Sequence, residues 1–309
     1  MKNTAALAAD FYGYNIAAYG CKFTGFQDTL LANKGTQLFS NCYIEGSIDF
    51  IWGYSTAYFH QCTIATNTPG SCISAQSRAA GTVSGYVFDS CMVTYTSTYG
   101  NTFGLSYLGR PYNNYSTAVY MNSYIDQHIS PLGWNVWSTS NPQTNHVSFY
   151  EFNNTGPGAF QTGRASFATN ITADVAAQYT LSAWLGDTSW VDMTAYNYVP
   201  TYPLTKAGST PVSSAPGAVS TINAHPESGV VAPNGSVIVD VTGATGTFTN
   251  LTAALASLPA DSTNKTIFMM PGTYNEQVPQ INNPGPVRII GYTTAAPCLL
   301  YTSDAADDS

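Results

Sequence analysis

Five segments of the chain share one pattern of apolar and polar positions. Each has an aromatic residue, a few small or polar residues, a Cys or Ser, one further residue, and then an apolar residue. The segments are residues 19–23, 39–44, 59–64, 88–93 and 120–125. Their Cys or Ser positions are separated by 21, 20, 29 and 32 residues. Units of this length with tolerated insertions indicate a solenoid. Because the units are short, β-rich and separated by Gly and Asn turns, they predict an all-β fold, a right-handed parallel β-helix.

Four of the repeated positions are cysteines, namely Cys21, Cys42, Cys62 and Cys91. In successive coils, which stack at about 4.8 Å, they predict an interior ladder of small apolar side chains rather than disulfide bonds or metal ligands. None of the six cysteines forms a CxxC pair, so no metal site is predicted.

Two aspartates follow the same repeat. Asp28 lies in residues 25–30 and Asp49 in residues 46–53, and the two are 21 residues apart. One coil of separation places both carboxylates side by side on one face. Two acids this close cannot both be comfortably ionised, so one is pushed toward protonation, which provides one acid and one base or nucleophile. A single Asp is ordinarily a turn residue; the repeated spacing favours a catalytic pair.

Composition narrows the class of protein. Lys and Arg number 9 and Asp and Glu 17, which is 8% of the 309 residues, against roughly 25% in an ordinary soluble domain. A surface built from Thr, Ser, Asn, Gln, Gly and Tyr is typical of extracellular β-rich proteins. The formal net charge of −8 argues against a nucleic-acid partner, and no run of about 18 apolar residues is present to span a membrane. Six N-x-S/T sequons give weak support to a secreted, extracellular protein.

Four motifs resemble the signature segments of the pectin methylesterases, and the overall texture is closest to the fungal members. They are residues 25–30 (GFQDTL), 45–53 (EGSIDFIWG), 108–112 (LGRPY) and 132–137 (LGWNVW). The resemblance runs from about residue 5 to Asp192. It implies a carbohydrate esterase with a right-handed β-helix fold that needs no cofactor and hydrolyses the C6 methyl esters of pectin to pectate and methanol.

The resemblance also implies roles for individual residues. Asp49 matches the nucleophile that attacks the ester carbonyl, and Asp28 matches the general acid that protonates methanol and then activates water. Gln27 matches an oxyanion donor. Arg110 matches the guanidinium that holds the nucleophile ionised and oriented. The aromatic residues expected to bind substrate are Trp134, Tyr112 and Trp52. Plainer interpretations remain open for Arg110, as a buried partner of an acid, and for Trp134 or Trp137, as core aromatics.

The chain departs from the family pattern at its start. The family has a second oxyanion glutamine one coil before Gln27, where this chain has Ala5. Loss of one such donor costs on the order of 10²–10³ in rate in a well-studied protease. The apolar run behind Lys2 is shorter than a signal peptide needs, and the N-terminal coils of the family have no counterpart before Met1. The chain is therefore expected to begin inside a domain.

The order of segments predicts four parts. Residues 1–200 form the β-helix body with the catalytic motifs, and residues 201–235 form a Pro/Ser/Thr-rich linker. Residues 236–296 resemble the start of the family, with a short helix behind a Thr249 cap. Residues 297–309 match no family segment and resemble translated adapter sequence.

In the family the segment that residues 236–296 resemble comes before the body, so the order is inverted in this chain. Several arrangements remain open. One is a cut tandem protein, and another is a circular permutation in which residues 236–292 fold back to cap the first coil. The final residues favour a truncated sequence assembly over an evolved permutation. An uncapped β-helix end exposes a strand edge, so intramolecular capping would help the chain in any of these cases.

Three functions remain open at this point. The first is a pectin esterase, the second a β-helix pectin or pectate lyase or polygalacturonase, and the third a non-catalytic carbohydrate-binding fragment. No G-x-S-x-G elbow is present, and the four histidines lie outside the motifs. We expect a monomer that acts on pectin. Because a negative enzyme gains no electrostatic retention of a more negative product, we expect dispersed demethylation and an acidic optimum.

Overall fold

The computed structural model describes residues 5–197, 232–292 and 299–302. From residue 9 to residue 170 the chain winds through three sheets in turn, and each strand pairs in parallel with its counterpart in the next coil. The prediction of an all-β parallel β-helix is confirmed.

Each sheet collects one strand from successive coils. The first sheet contains Ala9–Tyr12, Leu30–Lys34, Ile48–Gly53, Cys72–Gln76 and Tyr107–Gly109. The second contains, in this part of the chain, Ile16–Tyr19, Thr36–Ser40, Thr56–His60, Gly85–Asp89, Thr117–Met121, Ser148–Phe152 and Ala168–Asn170. The third contains Lys22–Thr24, Tyr43–Gly46, Thr63–Thr66, Met92–Tyr95 and Tyr124–Ile125. A 3-10 turn, Ser97–Tyr99, follows the fourth strand of the third sheet.

One bend in each coil explains the repeat in the sequence. A residue with positive φ stands between the strand of the second sheet and the strand of the third, directly before each Cys or Ser of the pattern. These residues are Gly20 (63°), Asn41 (56°), Gln61 (50°), Ser90 (57°) and Asn122 (53°). The left-handed region suits Gly and Asn best, so the polar residues of the pattern mark the bend.

The cysteines behind this bend point into the coil. Cys42, Cys62 and Cys91 are free and at most 2% exposed, which confirms the ladder for these three. Cys21 is disulfide-bonded, so the prediction of a free ladder thiol is wrong there.

Aromatic rings fill the interior beside the cysteine ladder. Phe39, Phe59, Phe88 and Tyr120 pair in register across four coils. Their rings stack with centroid distances of 4.8, 4.6 and 4.3 Å. Because offset stacking adds to the burial of each ring, this column fixes the register of the coils.

Short helices cover the outer face of the second sheet. They are Ala173–Ala176, Leu181–Leu185 and Met193–Tyr196, with a 3-10 turn at Ala177–Tyr179. Leu185 and Ala195 lie in one apolar cluster with Leu38, Tyr58 and Val87 of the sheet. The sequence pattern does not predict these helices; the apolar outer face of the sheet requires a cover that its own strands do not supply.

The C-terminal segment forms a small unit of the same kind. Its parallel strands are Val237–Val239, Lys265–Met269 and Val287–Gly291, and its helix is Leu251–Ala256. The helix begins at Asn250, whose Oδ1 accepts a hydrogen bond from the Ala253 N–H at 2.8 Å. The predicted Thr249 cap is therefore wrong by one residue.

A fourth strand, Leu299–Thr302, lies between this unit and the first coil. It pairs antiparallel with Ile16–Tyr19 on one side and with Val287–Gly291 on the other, which gives the second sheet eleven strands. Phe268 and Ile290 share an apolar cluster with the body. The predicted linker, residues 201–235, and the tail, residues 297–309, lie largely outside the described residues, so the predicted boundaries stay predictions.

Candidate active site

Two aspartates lie close together at the start of adjacent strands of the first sheet. Leu30 pairs with Ile51, and Asp28 and Asp49 each precede their member of this pair by two residues. Both aspartates have a left-handed backbone, with φ of 59° and 48°. Non-glycine residues in this region are uncommon and cluster at functional sites. The coil repeat and this bend bring the two carboxylates together.

Arg110 holds the carboxylate of Asp49 with a two-pronged hydrogen bond. Its Nε donates to Oδ1 at 2.9 Å and its Nη2 donates to Oδ2 at 2.7 Å. The side chain of Asp49 is 9% exposed and that of Arg110 is 25% exposed. The hydrogen bond to Asp49 raises the pKa of the Arg110 guanidinium, against the opposing effect of burial. Such a fork fixes the orientation of a carboxylate as well as its charge.

Asp28 has a different environment from Asp49. Burial raises the pKa of the Asp28 carboxyl, the neighbouring Asp49 charge raises it further, and Arg110 partly offsets both. Asp28 therefore keeps its proton to higher pH than an ordinary Asp. One carboxylate paired with a cation beside one acid that favours its proton is the division of roles that acid and nucleophile need.

Gln27 and Ala5 occupy the coils beside these acids. Gln27 forms parallel bridges with Ile48 on one side and with Ala5 on the other. Ala5 thus stands in register with Gln27, at the position where the resemblance implies a second glutamine. Its methyl group offers no hydrogen-bond donor, so of these two residues in register only Gln27 carries an amide side chain.

Aromatic rings form a connected group next to the Arg110 guanidinium. The Trp137 ring lies 4.6 Å from it, and the Tyr112 ring is 5.0 Å from Trp137 and 6.4 Å from Trp52. Tyr54, which the sequence motifs do not single out, is 46% exposed and lies 6.3 Å from Tyr112. Its place directly after the 45–53 motif is the one sequence signal for it.

Trp134 does not belong to this aromatic group. It is 1% exposed, its ring stacks on Phe149 at 4.3 Å, and its Nε1 donates to Glu151 Oε1 at 3.0 Å. The prediction that Trp134 binds substrate is wrong because the ring is enclosed by the core. Trp137, for which the sequence leaves a core role open, is half-buried beside Arg110.

Cys72 is a further neighbour of Asp49 and Arg110, and sequence reasoning did not identify it. It is 5% exposed, and burial, followed by the Asp49 charge, raises the pKa of its thiol to about 12. The Asn135 side chain lies beside this thiol and lowers its pKa, against the larger effect of burial. Cys72 stands outside the five repeated segments, and the structure places it in strand Cys72–Gln76 of the first sheet.

Two further features concern only the described part of the chain. There, no three His, Cys, Asp or Glu side chains gather closely enough to hold a metal ion. In those same ranges no helix has the length and apolar character required to cross a bilayer.

The family model for pectinesterases matches residues 2–188. A pectinesterase from Aspergillus aculeatus is 42% identical over 190 residues, which are 60% of this chain and 55% of that protein. A pectinesterase from Aspergillus niger is 38% identical over 198 residues, which are 63% of this chain and 58% of that protein. The chain thus spans a little over half the length of these relatives.

Solved structures agree with this match. The pectin methylesterase from Aspergillus niger superposes with a TM-score of 0.56 and 34% identity, over 62% of each chain. The pectin methylesterase from carrot superposes with a TM-score of 0.52 and 29% identity, over 58% of this chain and 59% of that one. Since the family model covers more than half of the residues, the chain belongs to the pectinesterase family.

Proposed function

We propose that the chain hydrolyses the C6 methyl esters of pectin and releases pectate and methanol. The observation that carries the proposal is the Asp49 carboxylate, held by the Arg110 fork and facing Asp28 from one coil away. The relatives named above are pectinesterases and pectin methylesterases, which supports the same reaction for this chain.

In the first step Asp49 attacks the carbonyl carbon of the ester. The carbonyl oxygen becomes an oxyanion, and the Gln27 amide donates a hydrogen bond to it. When the tetrahedral intermediate collapses, the bond to the methoxy oxygen breaks and Asp28 gives its proton to that oxygen. Methanol leaves, and the galacturonate carbonyl is bound to Asp49 as an anhydride.

In the second step Asp28, now a carboxylate, takes a proton from water. The oxygen of that water attacks the galacturonate carbonyl, and the bond to Asp49 breaks. Asp49 returns to its carboxylate form and to the Arg110 fork, while Asp28 regains the proton that the next cycle requires. The stronger attraction of Arg110 to the free carboxylate favours this departure.

The aromatic rings beside Arg110 supply a surface for the polymer. Trp52, Tyr112 and Trp137 combine flat apolar faces with polar edges, a combination that suits sugar rings. The exposed Tyr112 is the ring most open to solvent among these three, at 37%.

The pH dependence follows from Asp28. Its proton is needed for methanol to leave, and its pKa is raised by burial and by Asp49. We therefore expect kcat/KM to fall as the pH rises through this raised pKa, on the alkaline side of the ordinary value for Asp of about 3.9. A profile of methanol release against pH checks this. A rate that falls through the ordinary Asp pKa would contradict the assignment of Asp28 as the acid.

Products separate this function from the alternatives. Highly methylated homogalacturonan is incubated with the chain, and methanol, new reducing ends and unsaturated ends are measured together. We expect methanol without either kind of new chain end, unaffected by a chelator. New reducing ends without unsaturated ends would indicate a polygalacturonase, new reducing ends together with unsaturated ends a lyase, and neither methanol nor new ends a non-catalytic fragment.

We further propose that the protein is secreted, extracellular and monomeric. The low charge content and the sequons support secretion. Light scattering after gel filtration is expected to give a mass near 32.9 kDa, and twice that mass would overturn the monomer.

A further inference from the structure

A buried ion pair lies behind the candidate active site. Arg164 donates from Nε to Oε1 of Glu151 at 2.8 Å and from Nη2 to Oε2 at 2.6 Å. The two side chains are 2% and 1% exposed. Replacing a pair this far from water by apolar residues of similar volume is often neutral or stabilising, because the lost hydration offsets the attraction. Stability alone therefore does not account for the pair.

Three of the four other hydrogen bonds of the pair hold residues 130–134, and the fourth runs from Arg164 Nη2 to the Gly158 carbonyl at 2.8 Å. Glu151 Oε1 also accepts from Trp134 Nε1 at 3.0 Å, and Arg164 Nη1 donates to the Pro131 carbonyl at 3.2 Å. Gly133 has a φ of 68°, and a Cβ placed there would lie 2.5 Å from Arg164 Cδ. The backbone at Gly133 thus packs closely against the guanidinium. The ion pair therefore contacts this segment through side-chain hydrogen bonds and through the backbone.

The segment held by the ion pair continues into residues that lie next to Arg110. Trp134 forms a parallel bridge with Gly109, and Asn135 N donates to the Gly109 carbonyl at 3.0 Å. Gly109 directly precedes Arg110. The Trp137 ring then lies 4.6 Å from the Arg110 guanidinium carbon, on the segment that Trp134 anchors.

We propose that Glu151 and Arg164 are positioning residues of the esterase site. Through Trp134 they hold residues 134–137 against Arg110, and Arg110 orients the nucleophilic carboxylate. The catalytic consequence rests on the proposed function, whereas the placement of residues 134–137 is open to measurement without any substrate.

Two variants separate positioning from stability. The double variant E151M/R164M replaces the pair by apolar side chains, which offsets part of the cost of leaving Trp134 Nε1 unpaired, and is expected to change the Tm little. The single variant W134F keeps the ion pair and an aromatic ring against Phe149, and it removes the Nε1 donor together with part of the indole ring. We expect both to lower kcat for methanol release by about tenfold, since small displacements of reacting groups are costly, and to change KM by less than about twofold.

A matched control lowers stability elsewhere. F39L shortens a ring of the interior column, in the first coils and away from residues 130–164. We expect it to lower the Tm while kcat stays unchanged. Unchanged kcat in both test variants, or an equal loss in F39L, would overturn the proposal.

Cys72 provides the readout that needs no substrate. Its thiol is buried beside the Asn135 side chain, so we expect displacement of residues 134–137 to uncover it. We expect iodoacetamide to label Cys72 about tenfold faster in both test variants than in the unaltered chain and in F39L. The labelled peptide is identified by mass spectrometry, with C72S as the blank.

The two readouts fail independently. If the unaltered chain releases no methanol, the proposed function fails and the labelling of Cys72 alone decides the inference. Unchanged labelling in both test variants, or equally fast labelling in F39L, would overturn it.

Discussion

Asp49→Asn is expected to lower kcat/KM for methanol release by roughly 10⁴-fold. The Asn amide cannot form the anhydride with the galacturonate carbonyl, so the acyl-enzyme of the first step does not form. Asn keeps the shape of Asp and tolerates the left-handed backbone at this position, where φ is 48°. Arg110 loses its charged partner but is 25% exposed, so its charge can still reach water and the fold is expected to survive.

The matched control is Asp10→Asn. Asp10 is an exposed carboxylate in the first coil of the same sheet, where it accepts a hydrogen bond from Asn33. This change removes the same charge from the protein without touching the Arg110 fork, and kcat/KM is expected to stay within about twofold. Retained activity in Asp49→Asn with a normal Tm would contradict the role of Asp49 as nucleophile.

Ala5→Gln is expected to raise kcat by about 10²-fold. Ala5 stands in parallel register with Gln27, and side chains in register lie about 4.8 Å apart. A second amide there can donate to the same oxyanion as Gln27. The gain falls on kcat rather than on KM because the oxyanion exists only after the nucleophile has attacked.

Ala5→Met is the control for this gain. Met matches Gln in length and volume but has no N–H to donate. Methanol release is measured for the two variants side by side at saturating pectin. An equal gain in both variants would assign the effect to packing, and no gain in Ala5→Gln would contradict an oxyanion site between these coils.

Much of the body could be predicted because one bend recurs in every coil. The residue before each ladder position must adopt positive φ, so the pattern itself sets the coil length. The same period, read from the sequence alone, is enough to align Asp28 with Asp49. The motif that contains Arg110 predicts a partner for the Asp49 carboxylate. The geometry of their two hydrogen bonds depends on a strand two coils beyond Asp49.

The roles of the two tryptophans could not be predicted in the same way. Trp134 and Trp137 lie in a loop without a repeat, three residues apart. Trp134 turns inward because Glu151 accepts its Nε1 and Phe149 stacks on its ring. Both partners belong to the next coil, so no local pattern reports them. The missed helices have a similar cause, since they respond to an apolar face that only the assembled sheet presents.

The central claim is that Asp28 and Asp49, which lie one coil apart, interact with each other and act together in catalysis. The most direct measurement is the titration of the Asp28 carboxyl by ¹³C NMR, in the unaltered chain and in Asp49→Asn. The account predicts a pKa above the ordinary range, where burial and the Asp49 charge both act, and a lower pKa once that charge is removed. An ordinary pKa that Asp49→Asn leaves unchanged would contradict it.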